Sequence, residues 1–176
     1  MPILLDHIAK RPVTMVFLLV SALTPLACAT LIGDAYRNEL NAGDAAFVKS
    51  DYTTAEKHYR QALAKADNDA NRSTTLHYLG VSLVSQDKLV DAEDTYKREI
   101  ETAELAYGPT HPRMLDSLSD ITLLCIRLGR WDDAEKYNQR ALSIAGHVSG
   151  EENKAAIELT ETLRDVIKDK RPLQSK

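Results

Sequence analysis

The 176-residue sequence has few cysteines, glycines, prolines and aromatic residues, and it has no excess of positive charge. Two cysteines are too few for a disulfide framework, and seven glycines with six prolines exclude collagen-like and proline-rich disordered chains. Lysine and arginine number 22 against 26 aspartates and glutamates, and this net charge of −4 argues against nucleic acid as a partner. Alanine, leucine, glutamate and lysine are frequent, so the composition favours an all-α protein.

The first thirty residues differ from the rest of the chain. Lys10 and Arg11 stand directly before an uncharged, mostly apolar stretch at 13–32, which is the layout of a secretory signal. We expect residues 1–29 to be a signal peptide or membrane anchor. Because the basic flank stays inside, the remainder should be exported to the cell envelope or periplasm.

Three fates are open for this leader. Leu26-Ala27-Cys28 resembles the lipobox of bacterial lipoproteins and makes Cys28 a candidate for lipidation, although Pro25 stands where the lipobox has an aliphatic residue. Cleavage after Ala29 would satisfy the A-x-A rule, and an uncut segment would remain as an N-terminal anchor. We favour lipidation, which would tether the protein to a membrane through its N-terminus.

Downstream of the leader, three segments align on an alanine that is followed by glutamate. The anchor alanines Ala55, Ala92 and Ala134 are 37 and 42 residues apart, and each follows a bulky residue by three positions. This spacing predicts three helical hairpins in which small residues lie where the paired helices approach most closely. Since a single hairpin cannot bury both apolar faces, successive hairpins should stack into a solenoid.

The pattern resembles the tetratricopeptide repeat (TPR), and its 42-residue step resembles the variant found in kinesin light chains. In the third repeat Asn138 stands where the pattern has a second aromatic residue. The residues that match the pattern, or mark its turns, are Gly43, Tyr52, Ala55, Tyr59, Ala62, Gly80, Leu89, Ala92, Tyr96, Gly129, Trp131, Ala134 and Ala141. The resemblance implies an all-α, right-handed TPR superhelix of about three hairpins within residues 30–150.

The helix limits follow from turn and cap residues. Gly108 and Pro109 should end one helix, Pro112 should begin the next, and the polar residues 67–71 supply caps between the first two hairpins. The predicted hairpin helices are 31–48, 52–66, 71–86, 89–107, 112–128 and 131–146. Apolar residues at three- and four-residue steps, namely Ala156, Leu159, Leu163 and Val166, predict a C-terminal capping helix at 151–168. Residues 169–176 should form a polar tail.

No motif indicates catalysis. The five histidines have no metal-ligand spacing, and the sequence has no phosphate-binding glycine loop and no nucleophile elbow. Glu56 and Glu135, each followed by lysine, are interpreted as solvated surface charges, and Cys125 as a small core residue. We therefore predict that the protein is not an enzyme, with no catalytic residue, no metal ligand and no cofactor.

The TPR resemblance implies that the first helix of each hairpin lines a concave groove for a protein or peptide. The candidate groove residues are Asp44, Phe47, Thr74, His77, Tyr78, Ser85, Asp116, Ser119, Asp120 and Arg127. His77 and Tyr78 are the sharpest candidates, because such rings can both stack on a peptide and hydrogen-bond to it. TPRs that clamp a terminal carboxylate use lysine and asparagine, whereas the matching positions here are Leu40, Asp44, His77, Val81, Ser119 and Leu123. This difference argues against a carboxylate clamp.

Taken together, these features predict an exported, membrane-tethered TPR adaptor that binds a partner protein in its concave groove. The alternative is a structural subunit that self-associates as a homodimer through exposed repeat ends. An accessory enzyme is the least favoured interpretation.

Overall fold

The computed structural model describes residues 25–148 and 150–170, with side chains from Asp34 onward except at 149, 151 and 152. These residues form seven helices joined by turns, without a strand among them. The helices are α1 Pro25–Val48, α2 Tyr52–Lys65, α3 Asp69–Ser85, α4 Leu89–Tyr107, α5 Met114–Arg127, α6 Trp131–Ala145 and α7 Glu151–Lys170. The expected signal run and basic flank, up to residue 24, and most of the expected polar tail lie outside the described residues.

Each helix packs against the next one along the chain, and α7 also packs against α5. The helices pair as α1–α2, α3–α4 and α5–α6, so the chain is a stack of three hairpins with a terminal helix. The all-α superhelix predicted from the sequence is confirmed. Within the described residues, no helix combines the length and the apolar character that crossing a membrane requires.

The helix starts depend on local cap and turn chemistry. The second helices begin at Tyr52, Leu89 and Trp131, the bulky residues predicted to follow each turn. Asn68 caps α3, since its side chain accepts the N–H of Asn71 at 2.8 Å. The helix α5 begins two residues later than predicted, because residues 111–113 form a separate turn.

The three hairpin turns have the same backbone conformation. Ser50, Asp87 and Gly129 occupy equivalent positions, and their φ angles are 59°, 62° and 70°, all in the left-handed region. In each turn the N–H of the following residue donates to a carbonyl in the last turn of the preceding helix, at 2.8–3.0 Å. This bond satisfies a carbonyl that the end of a helix would otherwise leave unpaired. The repeat is therefore a structural unit and not only a sequence pattern.

Within the first two hairpins, a tyrosine ring packs directly on a glycine. A Cβ added to Gly43 would lie 2.5 Å from Cε1 of Tyr59, and one added to Gly80 would lie 2.4 Å from Cε1 of Tyr96. No ordinary side chain fits at such distances, so these positions require glycine. The anchor alanines Ala55, Ala92 and Ala134 are also fully buried, each in its own hairpin. This confirms that small residues lie where the paired helices approach most closely.

The third hairpin has Thr122 and Asn138 at the positions of this glycine and tyrosine. Both are buried, and the side-chain amide of Asn138 donates to the backbone carbonyl of Thr160 in α7 at 2.9 Å. The buried face of α7 consists of Thr160, Leu163 and Ile167, whereas Leu159, which the sequence placed on that face, is 40% exposed. The terminal helix is therefore rotated by about one residue from the predicted apolar stripe.

Glutamates that follow the anchor alanines connect neighbouring hairpins. The carboxylate of Glu56 lies 2.7 Å from Nζ of Lys88, and Glu93 lies 2.7 Å from the guanidinium of Arg130. Lys97 and Arg130 together hold the pKa of Glu93 below its ordinary value. The interpretation of Glu56 as a solvated charge is therefore wrong, because it is a half-buried link between hairpins.

Cys125 lies in the core, as the sequence predicted. It is completely buried and unpaired, and burial raises the pKa of its thiol to about 11.

Candidate functional site

A groove runs between α3 and α5, the first helices of the second and third hairpins. One part of it is an apolar cavity of about 420 Å³ lined chiefly by Val81, Val84, Tyr96, Leu123, Leu124 and Ile126. Leu123 is 43% exposed although it borders this cavity. We call this part the apolar cavity. Its lining can take up a large aliphatic or aromatic side chain.

The other part of the groove is polar. A pocket of about 160 Å³ is lined by Ser73, Thr74, His77, Tyr78, Glu99, Arg113, Asp116 and Ser117. We call it the polar pocket. His77 lines the polar pocket, Asp120 lines the apolar cavity, and His77 Nδ1 lies 3.2 Å from Asp120 Oδ2. The two parts therefore adjoin at this pair.

His77 carries a positive charge in the groove at neutral pH. Its Nδ1 lies 3.2 Å from Asp120 and 3.6 Å from Oε1 of Glu99. Burial disfavours the imidazolium, but Asp120 and Glu99 outweigh this effect and raise the pKa of His77 to about 10. The pKa of the neighbouring Asp116 is raised by its own burial and by the charge of Asp120, while His77 opposes this rise.

Glu99 is the most deeply buried charged residue of the pocket. It is only 3% exposed, and its Oε1 accepts a hydrogen bond from Ser117 Oγ at 2.6 Å. Within the part of the chain that the structure describes, its second oxygen, Oε2, has no hydrogen-bond partner. Asp120 Oδ2 is likewise buried, and it makes no well-aligned hydrogen bond there. Nδ1 of His77 is also buried without a well-aligned hydrogen bond, so one donor and two acceptor atoms of this site are unsatisfied by the described residues, although His77 and Asp120 attract each other as a charge pair.

Most predicted groove residues of the second and third hairpins come together here. Thr74, His77, Tyr78 and Asp116 line the polar pocket, and Ser85, Asp120 and Arg127 line the apolar cavity. Arg127 also pairs with Asp87 at 2.7 Å, which links α5 to the turn after α3.

The two predicted groove residues of the first hairpin have other partners. Asp44 accepts a hydrogen bond from the hydroxyl of Tyr59 at 2.8 Å, and Phe47 packs edge-on against Tyr52. Neither residue lines the apolar cavity or the polar pocket. The groove defined by these cavities therefore belongs to α3 and α5.

Ser119 does not line the groove. It is 1% exposed, and its Oγ lies 3.4 Å from Oγ1 of Thr160, beneath α7. The prediction that its side chain faces the groove is corrected, because the terminal helix covers this position of the third hairpin.

Sequence reasoning missed Glu99, although the repeat contained a signal for it. Seven residues after the anchor alanine, the first and third repeats have the fully buried Ala62 and Ala141, whereas the second has Glu99. A glutamate at a core alanine position predicts a buried carboxylate. Among the described residues, no three histidine, cysteine or carboxylate side chains are grouped so that they could hold a metal ion.

The comparisons with known proteins agree with this fold. The family model described as "Tetratricopeptide repeat" matches residues 71–146, which include the whole groove. The TPR2B domain of yeast Sti1, solved as a pHsp70 complex, is similar with a TM-score of 0.64 and 16% identity, over 78% of this chain and 98% of that one. The Sgt2 TPR domain from Aspergillus fumigatus has a TM-score of 0.54 and 17% identity, over 80% and 85% of the two chains. No curated protein matches the sequence.

At these identities the solved structures show the fold alone, which is that of an all-α TPR superhelix. The likeness to the kinesin-light-chain variant stays a prediction.

Proposed function

We propose that this TPR superhelix is an exported, membrane-tethered adaptor that binds a peptide segment of a partner protein in the groove between α3 and α5. TPR domains are protein-interaction modules, and one of similar fold was solved as a pHsp70 complex. The identity of that partner does not carry over, because the fold alone is shared.

The apolar cavity is the observation that carries this proposal. Leu123 is 43% exposed and borders this cavity, which is large enough for a side chain. Filling the cavity would bury this apolar surface, and such burial contributes about 25 cal/mol per Å². The polar pocket next to it supplies groups that can fix the orientation of a peptide.

Export and tethering rest on the N-terminal sequence. Lys10 and Arg11 precede an uncharged run that contains Cys28, the lipidation candidate. The helix α1 is continuous from Pro25 to Val48, so a lipid on Cys28 would sit on the helix that opens the first hairpin.

The mass of the intact protein from its native host tests this part of the proposal. A mass that corresponds to a chain starting at an acylated Cys28 is expected. A mass of the unmodified chain starting at Thr30 would contradict the tether while leaving export in place.

Site-specific photo-crosslinking tests the groove. The photoreactive residue p-benzoylphenylalanine is introduced at Leu123 in the groove and, as a matched control, at Leu105, which is 77% exposed on α4. We expect a defined partner to crosslink in the native host from position 123 and not from position 105. Equal crosslinking from both positions, or none from either, would contradict the groove as a binding site.

A further inference from the structure

The polar pocket contains a buried carboxylate whose hydrogen bonds are incomplete. Glu99 is 3% exposed and lines the pocket, where Ser117 satisfies Oε1 while Oε2 has no partner among the described residues. An unpaired acceptor costs free energy in a buried position, and a charged one costs more. The pocket is therefore built to accept hydrogen bonds from a donor that comes from outside the hairpins.

The charges around the pocket select the kind of donor. Glu99, Asp116 and Asp120 bring three carboxylates to this part of the groove, and His77 lies within 3.6 Å of two of them. The other cation, Arg113, also lines the pocket; its guanidinium lies over the ring of Tyr107, 5.5 Å from the centroid, and donates to Thr74 Oγ1 at 3.5 Å. Three carboxylates therefore face two cations, and among the described residues the buried atoms here without a hydrogen-bond partner are two carboxylate oxygens, of Glu99 and Asp120, and Nδ1 of His77. This favours a cation over an anion.

We infer that the polar pocket binds a lysine or arginine side chain of the partner peptide, next to an apolar side chain that occupies the apolar cavity. The ammonium or guanidinium group would pair with the carboxylate of Glu99 and lie near Asp116 and Asp120. The adjoining cavities require the basic and the apolar residue to be close together in the peptide. In a carboxylate clamp the protein supplies the cations, whereas here the protein would supply the carboxylates and the peptide the cation. This inference rests on the proposed function, in which the groove binds a peptide.

Selection from a random peptide library tests the inference directly. An mRNA-display library of short random peptides with fixed flanks at both ends is selected against the full-length protein in non-ionic detergent. Parallel selections use Glu99→Gln, Asp116→Asn and Leu123→Asp. The matched control is Glu101→Gln, which removes the same charge from an exposed position of α4. Thermal melting of each variant verifies that it is folded.

We expect wild-type protein and Glu101→Gln to enrich peptides with lysine or arginine beside a large apolar residue. Glu99→Gln and Asp116→Asn should lose the basic preference while keeping the apolar one, and a selected peptide should bind Glu99→Gln roughly tenfold more weakly. Should Glu99→Gln fail to fold, Asp116→Asn at the exposed edge of the pocket carries the same test.

Three results would count against this. Enriched peptides with an apolar residue and no basic one would overturn the inference and leave the proposed function intact. Enrichment of acidic peptides would overturn the inference, because His77 and Arg113 would then bind an anion instead. If no enriched peptide depends on Leu123, the proposed function fails and this inference fails with it.

Discussion

In the first two hairpins a tyrosine ring of the second helix packs on a glycine of the first, whereas the third hairpin has Thr122 and Asn138 at these two positions. The tyrosine needs a bare backbone beneath it, and the asparagine leaves room for the threonine side chain. One repeat geometry is therefore reached with two side-chain pairs. The difference follows from what lies beyond each hairpin along the stack.

Within the described residues, the third hairpin is followed by the helix α7. Its Asn138 donates to the carbonyl of Thr160 in α7, and Ser119 and Thr160 meet beside it. The polar pair therefore fixes the terminal helix, while the glycine–tyrosine pairs serve packing within a hairpin.

The largest effect is expected from adding a methyl group to the second hairpin. Gly80→Ala would place Cβ 2.4 Å from the buried ring of Tyr96, and the ring or the helix has to move. Overpacking of this kind costs about 1–3 kcal/mol, partly offset by the better helix propensity of alanine. Urea unfolding of the variant should show this loss of stability.

A double-mutant cycle identifies the ring as the cause. In a Tyr96→Leu background the same Gly80→Ala change should cost less, since the ring is gone. An equal cost in both backgrounds would mean that the glycine is needed for another reason.

A smaller effect is expected where α7 meets the third hairpin. Asn138→Leu keeps the volume but removes the hydrogen bond to Thr160, which should cost about 1–2 kcal/mol. Hydrogen exchange should become faster in α7 and stay unchanged in α1 to α3. The neighbouring surface change Gln139→Leu is the control, and equal acceleration in that variant would argue against a specific contact by Asn138.

A substitution in the turn of the third hairpin tests the contribution of backbone conformation to stability. Gly129 has a φ of 70°, in the left-handed region, and a Cβ added there would have no atom within 4 Å. Because no steric clash is introduced, the cost of Gly129→Ala should come from the backbone conformation alone, at about 1 kcal/mol. Gly146, with φ of −66°, provides the control, since alanine fits there at ordinary contact distances. The prediction fails if both substitutions change the melting temperature equally.

Near neutral pH the smallest effect is expected from the charge of His77, and it grows as pH rises. Its pKa is about 10 in the folded protein, above the ordinary value of 6.5, so its stabilising contribution is complete below pH 6.5 and is lost as pH approaches 10. The groups that face it are Glu99 from α4, Asp116 and Asp120 from α5, and Arg113, which lines the same pocket. Between pH 6.5 and 10, the free energy of unfolding should therefore fall less in His77→Gln than in the wild-type protein. Parallel loss in both proteins would contradict the shifted pKa.

The sequence was sufficient for the hairpins because their signals are local. The anchor alanines, the bulky residues at the helix starts and the cap at Asn68 each act within a few residues of their own position. The groove between α3 and α5 also followed from repeat spacing, which placed His77 and Asp120 on facing helices.

What the sequence left out depends on contacts between hairpins. Ser119 follows the same periodicity as His77, and only the docking of α7 buries it. Glu56 pairs with a lysine in the next hairpin. Glu99 reaches the groove from α4, the second helix of its hairpin, whereas the prediction considered only the first helices. Periodicity predicts which residues share one face of a helix. It does not predict which neighbouring element covers that face.

The central claim is that a peptide binds between α3 and α5. The most direct test is chemical-shift mapping by NMR, in which the tightest display-selected peptide is added to isotope-labelled full-length protein in detergent. The account predicts saturable shifts at Thr74, His77, Tyr78, Val81 and Leu123, with α2 and α6 unaffected. Saturable shifts centred on α2 and α6, with the α3 and α5 residues unchanged, would contradict it.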